Sequence, residues 1–208
     1  MEQAKTPKAY INIKDLGFAP IATEDGGTAT YGAPIQTRGL KTVGLPAGGE
    51  ITVAWADGAP IESAVGDGEP TLTLGLHQLS PEIEEMIFDK TFDASGISEE
   101  NWGHQPKPVA VWFKSERKDG SYRWTGFKKV LFAPPEEERA AKEGEIEFGE
   151  YSIEGRIMKV EGSEAKKIMA DTRRSGETPF NDDTFFTRLL GDSYTPNTTT
   201  TTTTAAGV

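Results

Sequence analysis

Over much of the chain, apolar and polar positions alternate with a period of two in short runs closed by Gly, Pro, Asn or Asp. That pattern predicts β-strands joined by turns. Residues 10–18 read as a first strand, followed by a polar turn, "EDGGTATYGAP", and a second strand within "IQTRGLKTVGL". In "GGEITVAWADG", Ile51, Val53 and Trp55 fall on one face and Thr52 and Ala54 on the other. Residues 56–70 are rich in Gly, Asp and Glu, with Ile61 and Val65 as a short apolar interruption. A long functional loop is expected there. "TLTLGLHQL" returns to alternation, with Leu72, Leu74 and Leu76 on one face. The strongest hairpin is "VAVWFKSERKDGSYRWTGFKKVLF", two long strands around Lys118-Asp119-Gly120, where Asp-Gly suits the positive φ angles of a tight turn.

The period changes at residues 80–90, "SPEIEEMIFDK". Ser80 suits the cap of a helix, Pro81 its first turn, and Glu82, Glu84 and Glu85 its positive end. Ile83, Met86 and Ile87 supply the buried stripe. "APPEEERAAKEG" has no apolar stripe and reads either as a solvated loop or as one loose helical turn. "EGSEAKKIMADTRRSG" fits a helix capped by Ser163 or an edge strand. "NDDTFFTRLL" predicts a short docking helix with Phe185, Phe186, Leu189 and Leu190 facing inward. The closing "TPNTTTTTTTAAGV" has nothing to bury and is expected to be disordered.

"EIEFGEYSIEGRI", residues 145–157, alternates with a phase slip at Gly149. One bulge there restores the register. Ile146, Phe148, Tyr151, Ile153 and Ile157 then line one face, and Glu145, Glu147, Glu150 and Glu154 the other.

Composition narrows the function. The 208 residues carry Asp+Glu 33 against Lys+Arg 22, a net charge of −11, which argues against general binding to nucleic acid or anionic membranes. There is no cysteine, hence no disulfide, zinc–thiolate site or thiol nucleophile. No window approaches the length of a membrane span, and membrane insertion is not expected.

Candidate chemistry is sparse. His77 and His104 have no partner at metal spacing, and no phosphate loop, nucleophile elbow or dinucleotide fingerprint occurs. The Asp182-Asp183 pair reads as a helix N-cap rather than a metal pair. Acidic pairs such as Glu136 and Glu138 lack the apolar neighbours that raise a general acid. Trp55, Trp112 and Trp124 sit among apolar strand residues and read as core, leaving Trp102, in a polar loop, as a candidate exposed anchor. The residues therefore suggest no enzyme, no cofactor and no metal.

The order of elements carries more than any single residue. From about residue 8 to residue 190 the chain runs through "YGAPIQTRGL", "ITVAWADGAPIESAVGDGEPTLTLGL" and "SPEIEEMIF" to "KPVAVWFKSERKDGSYRWTGFKKVLFAPPEEERAAKEGEIEFGEYSIEGRIM". This order resembles the major tail proteins, the tail tube subunits of long-tailed, siphovirus-type bacteriophages. Residues 106–158 are the densest part of the match, and the threonine run departs from it. The resemblance implies a mainly β fold: an antiparallel β-sandwich or barrel with one flanking α-helix and extended N- and C-terminal arms. Its expected divisions are an arm at 1–10, a β domain at 11–175, a C-terminal docking segment at 176–194 and a disordered tail at 195–208.

It further implies a virion protein assembled in the bacterial cytoplasm into stacked hexameric rings. The partners would be further copies of the chain, with tape-measure, distal-tail and tail-terminator proteins, and DNA would pass through without specific binding. Ring contacts are expected from the N-terminal arm, from the 56–70 loop with Asp57, Gly58, Glu62, Asp67 and Glu69, and from the C-terminal segment. The four glutamates of 145–157 then become candidate lumen residues that repel phosphate, although an ordinary solvated face has the same pattern. Six copies would place about −66 on each ring. The rival readings are a secretion or contractile-injection tube and a monomeric surface-binding module.

Overall fold

The computed structural model describes residues 8–26, 28–45, 51–56, 59–65, 70–99, 102–103, 105–135, 151–174 and 181–195. The protein is mainly β and antiparallel. Nine strands form one sheet with the path β2 (Thr28–Tyr31), β1 (Tyr10–Asp25), β8 (Val109–Arg117), β9 (Tyr122–Phe132), β10 (Tyr151–Ile157), β7 (Thr71–Leu76) and β4 (Leu40–Gly44). Two short strands join from the side: β3 (Ile35–Thr37) pairs with β1 and β11 (Ile168–Asp171) with β9. The sheet curls until β4 touches β1, giving the expected sandwich-to-barrel form. A separate two-stranded sheet consists of β5 (Ile51–Ala56) and β6 (Ala59–Val65).

The middle of the sheet is buried on both sides, and β8 shows why. Its odd positions, Val109, Val111 and Phe113, enter the core inside the curl. Its even positions, Ala110 and Trp112, enter a second core on the opposite face. Leu72, Leu74 and Leu76 of β7 and Ile153 and Ile157 of β10 join the inner core, as their alternation predicts. Helix α1 (Pro81–Phe88) covers that core with Ile83, Ile87 and Phe88, while Met86 packs at its margin. Helix α2 (Asp182–Leu190) covers the second core with Phe185, Phe186, Leu189 and Leu190.

Several expectations need correction. The first strand continues to Asp25, and Thr28–Tyr31, read as turn, is a strand returning against it. "IQTRGLKTVGL" divides into β3 and β4 at Arg38-Gly39, where Gly39 has φ 102. The supposed 56–70 loop contains a strand, β6, whose hydrogen bonds go to β5 from Ala56↔Ala59 to Ile51↔Val65. The ambiguous 161–176 stretch takes the edge-strand form in β11, because β9 extends beyond its pairing with β10 and leaves an edge to be filled. Ser163 caps no helix there; its N–H donates to the Val160 carbonyl in a turn.

Turn and cap chemistry follows the sequence with three differences, the first being that Ser80 stands at the start of α1 but makes no side-chain cap hydrogen bond. At the β8–β9 turn only Gly120, at φ 77, adopts the left-handed conformation, while Asp119 accepts from the Ser121 amide and hydroxyl. Helix α2 is capped one residue earlier than expected, by Asn181 Oδ1 accepting from the Asp183 amide at 2.9 Å. The two aspartates occupy the first turn instead.

A bulge in β1 shapes the second core. Asp15 takes φ 55, the register with β8 shifts between Lys14 and Gly17, and the Asp15 carboxylate reaches Lys114 Nζ at 2.5 Å. Gly17 is thereby laid over the Trp112 indole, and a Cβ there would stand 2.7 Å from Nε1 and overlap the ring. Gly17→Ala is expected to cost about 1–3 kcal/mol through overpacking, read as a lower urea midpoint. An unchanged midpoint would show that the indole can give way.

Candidate assembly site

The acidic row of 145–157 is described from Tyr151 onward. On β10 Tyr151, Ile153 and Ile157 face the inner core and Glu154 faces solvent, as the alternation predicts. Glu154 shares its face with Ser152 and Arg156, so this part of the row mixes both signs. Glu145, Glu147, Glu150 and the expected bulge at Gly149 lie outside the described residues.

Of the inter-ring candidates, Glu62 lies on strand β6 opposite Ala54. Asp57, Gly58, Asp67 and Glu69 lie outside the described residues. The host of this hairpin is informative. β4 and β7 are antiparallel neighbours with Gly44 opposite Thr73, and β5 and β6 are inserted between them in sequence. The chain therefore leaves the sheet beside its end strand, makes a hairpin of its own and returns to the adjacent strand. Among the described residues, that hairpin pairs with no strand of the main sheet.

The four C-terminal docking residues are packed into the chain's own second core. Phe185 stacks on Trp124 with ring centroids 5.6 Å apart, and Phe186 meets Trp112 and Trp124 edge-on at 5.6 and 5.2 Å. Tyr194 stacks on Phe186. The expected docking therefore occurs within the subunit, and these side chains are not offered to a neighbour. Polar contacts fix the helix start: Tyr122 Oη and Trp124 Nε1 donate to Asp182 Oδ1, and Tyr194 Oη donates to Asp183 Oδ1. Burial, then the aspartate acceptor, pushes both Tyr122 and Tyr194 up to about 12.

An ion cluster absent from the sequence reading joins the roots of both arms. Arg117, 6% exposed, grips Asp171 through two hydrogen bonds, Nη1–Oδ1 at 3.0 Å and Nη2–Oδ2 at 2.6 Å. Arg123 Nε donates to the same carboxylate at 2.9 Å, and the Arg173 amide donates to it as well. Arg117 also donates to Tyr10 Oη at 2.8 Å, with the Tyr10 ring against both guanidiniums. The Arg117 hydrogen bonds hold the Asp171 carboxyl far below its ordinary range, with the Arg173 amide and Arg123 adding to them. Tyr10 opens β1, Arg117 ends β8 and Asp171 ends β11, with 107 and 54 residues separating Arg117 from its partners. No local pattern signals a contact at such range.

Among the described residues no group of three His, Cys, Asp or Glu could hold a metal, and no helix is long and apolar enough to cross a membrane. His77 is exposed at the end of β7, and His104 lies outside the described residues. Among the described residues the carboxyls that shift, Glu24, Glu82, Asp119 and Asp171, all shift downward under hydrogen bonds. That is the opposite of what a general acid needs. Trp102 is fully exposed, and the outer edges of β4 and β11 pair with no strand among the described residues. No protein-family model and no curated protein sequence matches the chain.

Proposed function

We propose that this chain is a self-assembling structural subunit, the tail tube protein of a long-tailed bacteriophage, and that it works by assembly rather than catalysis. The observation that carries this reading is the β5–β6 hairpin. It is an excursion from a closed pair of strands, β4 and β7, and its hydrogen bonds are made within itself. Such an extension adds nothing to the main sheet's ladder and is suited to reach a neighbouring subunit. The antiparallel sandwich, the flanking helix α1 and the resemblance in element order support the same reading. On this reading copies of the chain form stacked rings, built in the host cytoplasm and carried in the virion tail. The tape-measure, distal-tail and tail-terminator proteins cap or fill the tube, and DNA passes without specific binding.

Negative-stain electron microscopy at rising protein concentration, with sedimentation velocity alongside, tests this directly. Rings or hollow tubes of uniform width are expected. Replacing residues 46–69 by a short Asn-Gly turn, which lets β4 run straight into β7, is expected to leave a folded subunit that makes no tubes. Normal tubes from that variant would remove the hairpin from assembly.

A further inference from the structure

The two ends of the β8–β9 hairpin differ in charge, and each carries exposed apolar side chains. β8 spans nine residues, or roughly 30 Å, from Val109 to Arg117. At the Val109 end sit α1 and the loop behind it, tied there by the Lys107 amide donating to the Ile87 carbonyl and by the Lys107–Asp89 ion pair. Residues 81–99 carry six carboxylates against one lysine, and Lys107 adds a second cation at this end. Glu82, Glu85 and Glu99 are exposed. Beside them Ile97 is 60% exposed and Trp102 fully so. This loop holds its shape: Asp93 Oδ1 accepts from the Ser95 and Ile97 amides, and Phe92 bridges to Ser98.

The Arg117 end is the reverse. Residues 8–15, 114–123 and 171–174 meet there, with eight Lys or Arg against four carboxylates. All four carboxylates are engaged within the subunit: Asp15 by Lys114, Glu116 by Lys14, Asp119 by Ser121 and Asp171 by Arg117 and Arg123. Lys118 and Arg174 stay exposed, beside Tyr10 at 45% and Ile11 at 65%.

We propose that these ends bind one another between copies of the chain. The acidic end, with Trp102 and Ile97 as apolar anchors, docks head-to-tail on the basic end around Tyr10, Ile11, Lys118 and Arg174. The occupant is a second copy because each end supplies what the other lacks, an apolar centre with a rim of opposite charge. At −11 two copies repel on average. An attractive contact must therefore set opposite charges against one another, and among the described residues these two ends do so. Such a contact is heterologous and extends from copy to copy, as the proposed tube requires, so the inference rests on that reading.

The test uses two variants of the full chain, Glu82→Lys with Glu99→Lys and Lys118→Glu with Arg174→Glu. All four positions are exposed, and thermal melts confirm folding. Sedimentation velocity is run on wild type, each variant and their equimolar mixture. Each variant alone should associate more than about tenfold more weakly than wild type, because one of its two ends then loses most of the charge that attracts the other. The mixture should regain association, since the unlike ends of the two variants still match, and raising salt should weaken it. Variants that associate like wild type would overturn this contact and leave the tube reading standing. Association by neither wild type nor the mixture would overturn both.

Discussion

Asp171→Asn is expected to lower stability by about 3 kcal/mol, because it leaves the Arg117 guanidinium buried without its counter-charge. Arg117 cannot escape by losing its proton, since its partners raise its pKa further above an already high value. It would retain Tyr10 Oη and Ser121 Oγ as acceptors, which limits the loss. The same cluster sets an acid response. The folded-state pKa of Asp171 lies below the unfolded value of 3.8, so the stabilisation is complete above that value and is lost as pH falls through the depressed one. Urea unfolding near neutral pH and again at about pH 3 checks both statements. The variant should be weaker at neutral pH and should lose less than wild type on acidification. Equal losses in the two proteins would take Asp171 out of the acid response.

Phe186→Ala is expected to cost about 3–5 kcal/mol, the usual penalty for deleting a buried aromatic side chain. Phe186 touches Trp112, Trp124, Phe185 and Tyr194, so its loss opens the second core at its centre. Gly126 shows how closely α2 is seated: a Cβ there would stand 2.8 Å from Leu189 and 2.9 Å from Phe185. The variant should lose the protection of α2 amides in hydrogen exchange while α1, on the other face, keeps its own. Uniform loss over both helices would mean that the two cores unfold as one unit.

How much of this was legible depends on the range of the forces involved. Helix α1 announces itself locally through Ser80-Pro81 and the spacing of Ile83 and Ile87, and β7, β8 and β9 through alternation or continuous apolar runs. The inward set of α2 was readable for the same reason. β6 was missed because Ser63 and Ala64 break the alternation between Ile61 and Val65 and Pro60 reads as a turn signal, and its strand character comes from pairing with β5. β11 was ambiguous because its fate depends on the free edge of β9. The Arg117–Asp171–Tyr10 cluster left no trace, since its members come from three elements far apart in sequence. The acidic end of the proposed contact was half visible: Trp102 stood out as an anchor, but its basic counterpart appears only when the sheet gathers three separate segments.

The register of β1 on β8 also sets an order of events at the ribosome. Tyr10 pairs with Arg117 and Pro20 with Val109, so the first strand synthesised meets β2 and β3 early but waits roughly 90 to 110 residues for β8. At ordinary elongation rates that delay is about 5–20 s. β8 and β9, joined by a short turn, form their hairpin locally, and β1 then closes onto an edge already in place. Throughout that interval Leu16 and Phe18 lack the part of their core that β8, β9 and β10 supply. A nascent chain of this protein is therefore exposed to chaperones, or to the strands of its neighbours on a polysome, for about half of its own synthesis.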